Sequence, residues 1–154
     1  MGTFTVHRIV SAPAQRTWDV LTDWGRHTGT VPLTRVHAVP ADDGRSEGEG
    51  SGLVARTGIG PLAYSDRMTV TSWRAPDARA AGRCRLRKDG RLVTGEVELT
   101  VVPVAPRRSR VTWQERADVI GVHALPGGAV VERVVGHVVF ARVLRRLARE
   151  AEAA

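Results

Sequence analysis

Two carboxylates stand where a carboxylate can do chemistry. Glu115 falls in a segment that alternates apolar and polar residues, and it shares parity with Val111, Trp113 and Ala117. Side chains alternate faces along a strand, so Glu115 is expected on the apolar side. There its proton affinity would rise, and it could serve as an acid or a base. Asp66 stands in the same relation to Met68 and Val70. The turn before it contains Pro61, and a bulge there would reverse its parity. For each carboxylate the plainer role is a position at a cavity mouth or an ion pair with an arginine. If both point inward, they could share acid–base work.

Other reactive side chains lack partners. Cys84 lies between Arg83 and Arg85, which would favour a thiolate, but no base is evident near it, and it reads as a small strand residue. Trp113 could stack on a planar ligand or simply pack in a core. Tyr64, the only tyrosine, could donate to a ligand carbonyl or sit at the surface. His27, His37 and His123 have no metal-site spacing, and the single cysteine cannot assist, so no metal is assigned. Gly58-Ile59-Gly60 lacks the lysine and the strand–loop–helix context of a phosphate loop, and no cofactor is expected. There is no Gly-x-Ser-x-Gly elbow.

The elements that must position these residues belong to a chain of 154 residues, the size of one domain with a real core. The net charge of +7 invites a nucleic-acid reading. Nearly all of that charge is arginine, in a background of Ala, Val and Gly that resembles the usage of a GC-rich bacterium. The arginines are scattered, and the denser groups, Arg83-Arg85-Arg87-Lys88 and Arg142-Arg145-Arg146-Arg149, read as solvated faces, so nucleic acid is not the expected partner. No uncharged apolar run reaches the ~18 residues of a membrane span, and the first ten residues alternate instead of forming a signal peptide. One cysteine excludes an intramolecular disulfide and fits a cytoplasmic location.

Phe4 to Val10 reads as a strand. Ser11 is expected to cap a helix over about 14–22, and Asp23 to cap a short one ending near His27. Strands follow over 34–39, 52–57, 64–73, 79–86, 92–102 and 110–119, with Lys88-Asp89-Gly90 as a hairpin turn. A long helix runs from about Pro126 to Ala151. Val131, Val134, Val135 and Val138 form one apolar stripe on it, and Phe140, Val143, Leu144 and Leu147 another, nearly opposite. The first stripe is expected to face the interior. The second is expected to pack elsewhere, as a dimer contact, or the helix to kink near Gly136. Consecutive antiparallel strands curl through sheet twist, so the long helix would fill a concave face.

This order resembles the START-related SRPBCC superfamily, which includes polyketide cyclase/dehydrase and lipid-transfer proteins. The resemblance spans nearly the whole chain. It rests on Ala12-Pro13-Ala14, Trp18, Val20, Leu21, Asp23 and Trp24, then Gly52-Leu53-Val54, Val111-Thr112-Trp113 and the arginine-rich end of the last helix. It implies an α+β helix-grip fold, with about seven strands around the C-terminal helix and two short helices after strand 1, in a single domain over 1–154. It also implies a deep apolar cavity for a lipid, polyketide or similar molecule. The expected activity is binding of a small hydrophobic molecule. Met68 and Trp113 would line the sheet side and Val131, Val134, Val135 and Val138 the helix side, with Glu115 or Asp66 orienting the ligand. The alternative is an aromatase/cyclase- or dehydratase-type enzyme that uses Glu115 and Asp66.

Overall fold

The computed structural model describes residues 2–122 and 124–153, so His123 lies outside the described residues. Strand β1 (Gly2–Val10) leads into helix α1 (Ala14–Thr22) and a 3₁₀ turn (Trp24–His27). Six strands follow: β2 (Thr34–Val39), β3 (Gly52–Thr57), β4 (Tyr64–Arg74), β5 (Gly82–Asp89), β6 (Val93–Ala105) and β7 (Arg108–Val119). Helix α2 (Gly128–Glu152) ends the chain. The strands form one antiparallel sheet in the order β1-β7-β6-β5-β4-β3-β2. This seven-stranded open sheet with its long C-terminal helix is a helix-grip fold.

Alternation sorts the sheet into two faces. Along β5, Gly82, Cys84, Leu86 and Lys88 are buried, while Arg83, Arg85 and Arg87 are exposed. The exposed arginines lie opposite Glu96, Glu98 and Thr100 of β6, and Arg85 Nε meets Glu98 Oε2 at 2.6 Å. This basic group is therefore a solvated outer face, with Lys88 excepted. Leu99, Val101, Val111 and Val97 of β6 and β7 supply the centre of the core.

Local capping differs from expectation. Pro13 holds the N-cap position of α1 and no side chain caps it; the Ser11 amide donates instead to Glu152 Oε1 at 3.0 Å, pinning the end of α2. Asp23 also makes no capping bond, because its carboxylate pairs with Arg26 at 2.9 Å. Strand β5 continues to Asp89, so Lys88 belongs to the strand and not to the turn.

The two stripes of α2 are reversed. Leu144 and Leu147 are fully buried against Val10, Thr17, Leu21 and Val111, and Val143 is fully buried too, so none of the three is free for a dimer contact. Val131, Val134, Val135 and Val138 are about half exposed or more, at 59%, 56%, 54% and 49%. Exposed to that degree, they are not packed into the interior. The helix is continuous through Gly136, whose small size serves close packing and not a kink: a Cβ there would stand 2.4 Å from the Phe4 ring. Leucine and phenylalanine bury more apolar area per residue than valine, and this favours the second stripe for the core.

Cys84 is completely buried, and burial pushes its thiol up to about 12. It is no nucleophile in this environment. We expect native protein at pH 8 to resist iodoacetamide and to react fully once unfolded in denaturant. Rapid native labelling, followed by mass spectrometry, would contradict this burial.

Candidate functional site

Three inward positions near one end of the sheet carry charge. Asp66 of β4, Lys88 of β5 and Glu115 of β7 each lie two residues beyond an inward apolar side chain: Met68, Leu86 and Trp113 respectively. No bulge intervenes on β4 before Val70; the register shift lies between Val70 and Ser72, so the parity of Asp66 is kept. Residue exposures are 9%, 5% and 4% for Asp66, Lys88 and Glu115. Both carboxylates thus point inward.

They are joined by Lys88, which stands in the sequence beside the solvated Arg83, Arg85 and Arg87. Its Nζ donates to Asp66 Oδ2 at 2.7 Å and lies 3.1 Å from Glu115 Oε1. Trp113 Nε1 donates to Glu115 Oε2 at 3.2 Å. Burial alone would lower the pKa of the ammonium, but Glu115 and Asp66 together outweigh it and hold the pKa above the ordinary lysine value. Lys88 is therefore a protonated donor at neutral pH. An ammonium is compact and has three donors, so it fits between two carboxylates where a planar guanidinium would not. Lys88 is the only lysine in this arginine-rich chain, and it shares parity with Cys84 and Leu86; those two signals mark it out.

Beside the cluster lies an apolar hollow of about 80 Å³, walled by Met68, Leu86, Val97, Trp113, Phe140 and Val143, with Trp24, His27, Leu53 and Ala55 also in its lining. Met68 and Trp113 belong to both: Lys88 Nζ is 4.0 Å from Met68 Sδ, and Trp113 bonds Glu115. The deep cavity implied by the family resemblance is small here because aromatic side chains occupy the interior. The Trp113 and Phe140 rings stack at 5.1 Å, and Phe4 lies 5.3 Å from Phe140. Ordinary ligand pockets are roughly 300–1,000 Å³, so a ligand of that size requires the lining side chains to move.

His27 closes the far wall. Its Nε2 donates to Leu21 O at 2.8 Å, and its ring lies 6.1 Å from that of Trp113. Burial holds its pKa below the ordinary histidine value. The unfolded chain therefore binds the extra proton more readily, so this contribution to stability is complete above about pH 6.5 and is lost as pH falls toward the lowered folded value. We expect the urea midpoint to fall as pH drops below about 6.5, and His27→Gln to reduce that dependence. Equal pH slopes in the two proteins would contradict the burial of a neutral imidazole. Among the described residues no group of three or more His, Cys, Asp or Glu could hold a metal ion.

The end of the sheet nearest the cluster is also rich in exposed apolar side chains. Leu33 before β2, Leu62 between β3 and β4, Leu92 between β5 and β6, and Ile120 and Leu125 after β7 all lie there. Leu33 is also the one non-glycine residue with positive φ, at 58°, among the described residues. A leucine in that region is strained while its side chain is offered to solvent. Tyr64 lies at this exposed rim, not inside.

The family model described as "Polyketide cyclase / dehydrase and lipid transport" matches residues 1–152. Among solved structures, a START superfamily protein from Mycobacterium smegmatis matches with a TM-score of 0.67 and 16% identity, over 97% of this chain and 99% of that one. The ZhuI aromatase/cyclase from Streptomyces sp. R1128 matches with a TM-score of 0.62 and 19% identity, over 97% and 93%. The di-domain aromatase/cyclase BexL of the BE-7585A biosynthetic pathway matches with a TM-score of 0.64 and 18% identity, over 99% of this chain and 47% of that one. At these identities the likeness is one of fold. Among curated proteins, none matches the chain at a significant level.

Proposed function

The chain belongs to the polyketide cyclase/dehydrase and lipid transport family, and from that premise we propose that it binds a small hydrophobic molecule between the sheet and α2. The apolar body of the ligand sits against Met68, Trp113 and Phe140, and its polar end meets the Lys88 cluster. The observation that carries this reading is the placement of a buried, charged cluster on the wall of an apolar hollow. Buried ion clusters return little stability compared with apolar residues of the same volume, so folding alone gives no reason for one here. A pocket that is mostly apolar with a few fixed polar groups is the usual form of a small-molecule site. The exposed apolar rim, from Leu33 round to Leu125, supports access from that end. Native mass spectrometry of freshly purified protein tests the reading: a retained small molecule, lost on denaturation, is expected. Protein that is ligand-free and also unresponsive to apolar probes would count against it.

A second reading is favoured by one feature of the same cluster. A protonated ammonium lies within 3.1 Å of two carboxylates, so a proton donor and proton acceptors stand together beside the hollow. That arrangement suits acid–base chemistry of the aromatase/cyclase or dehydratase type on a polyketide-like substrate. Under this reading Glu115→Gln or Asp66→Asn abolishes turnover while binding persists.

A further inference from the structure

The cluster is unbalanced in charge and in hydrogen bonds. It holds one ammonium and two carboxylates. Three of the four carboxylate oxygens have partners: Asp66 Oδ2 and Glu115 Oε1 face Lys88 Nζ, and Glu115 Oε2 accepts from Trp113. Asp66 Oδ1 is buried and has no hydrogen-bond partner, in a residue only 9% exposed. A buried carboxylate oxygen without a donor forfeits its hydration with nothing in return. Lys88 cannot fill this place, because two of its donors are taken and the remaining direction runs to Met68 Sδ at 4.0 Å.

Resting on the reading of the interior as a ligand site, we infer that Asp66 Oδ1 is the acceptor for the polar end of the ligand, and that the site selects an apolar molecule bearing a hydrogen-bond donor: a hydroxyl, a phenol or an ammonium. A carboxylate, enolate or phosphate is rejected. Such a group is an acceptor only, so it has no donor to offer Asp66 Oδ1, and it would bring its own charge beside two acidic side chains that share one ammonium. Met68 lies between the hollow and the cluster and is flexible enough to yield to the incoming group.

Three probes with one tolyl body separate the possibilities: p-cresol, p-xylene and p-toluate, each titrated calorimetrically into the intact protein near pH 7. The expected order is p-cresol tightest, by about tenfold or more over p-xylene, the low end for a hydrogen bond to a charged group. p-Toluate is expected to bind at least about tenfold more weakly than p-xylene, as an anion brought beside two acidic side chains that share one ammonium. In Asp66→Asn the p-cresol advantage should shrink to about threefold or less, since the neutral amide is a weaker acceptor, with p-xylene unchanged. If p-xylene binds but p-toluate equals or exceeds p-cresol, the donor rule is overturned and Lys88 is the recognition group. If none of the three binds, the interior-site reading itself fails. Should Asp66→Asn not fold, as judged by its thermal melt, Asp66→Ala serves instead, and a p-cresol advantage undiminished in the folded variant overturns the assignment to Asp66 Oδ1.

Discussion

Lys88→Ala is expected to destabilise the protein by about 3–5 kcal/mol, because it leaves two buried carboxylates facing each other without their cation. At about 2–4 °C per kcal/mol for a chain of this size, the melting temperature should fall by roughly 6–20 °C. The loss should be greatest near neutral pH. The raised pKa of Lys88 sets the upper limit: its contribution is complete below about 10.5 and is lost as pH rises through the higher folded value. Replacing all three residues together, as Lys88→Met with Asp66→Leu and Glu115→Leu, should restore most of the stability, since apolar residues of similar volume often replace buried ion clusters without penalty. The triple variant is the informative one: it should fold and yet lose its preference for p-cresol over p-xylene. A single Lys88→Ala variant as stable as the parent would show that the cluster is hydrated in solution and not buried.

Leu144→Ala should cost about 2–5 kcal/mol, whereas Val134→Ala, ten residues earlier on the same helix, should change stability by no more than about 0.5 kcal/mol. The contrast follows from where each side chain goes. Leu144 is 1% exposed, packed with Leu147 and Ala148 against α1, β1 and β7, and Val134 is 56% exposed. Urea denaturation of the two variants measures this directly. Equal losses, or a larger loss for Val134→Ala, would mean that the valine face is covered in solution and that α2 is rotated about its axis relative to this account.

The fold was legible because alternation and helical spacing are local. The strands were found within a few residues, since Leu99 and Val101 alternate with Glu98 and Thr100 whatever the sheet does elsewhere. The inward aim of Glu115 follows from the same parity, that of Asp66 follows only once no bulge precedes it on β4, and both side chains are buried. What failed depends on which element lies opposite. Helix α2 carries two apolar stripes, and nothing within the helix says which one meets the sheet. The choice is made by Phe4, which fills the place beside Gly136, and by α1, which receives Leu144 and Leu147. Lys88 was hidden by its neighbours. A run of Arg83, Arg85, Arg87 and Lys88 reads as one basic patch until the strand is known to reach Asp89, and then only the odd-numbered members face solvent. The size of the hollow was not legible, because it depends on the packing of Trp113 and Phe140 across about 27 residues of sequence.

The exposed valines of α2 and the apolar rim at the end of the sheet bear on the same question: both are apolar, and either could take up a hydrophobic probe from solution. Specific uptake is expected in the interior. The most direct measurement is an NMR titration of p-xylene that follows the four tryptophan indole resonances and the valine methyl groups of α2, in the parent and in Ala55→Phe, whose added ring fills the hollow. The account predicts saturable shifts centred on Trp113 and Trp24, which line the hollow, and their loss in Ala55→Phe. Shifts confined to Val130, Val131, Val134 and Val135, unchanged by Ala55→Phe, would place the apolar site on the outside of α2 and contradict it.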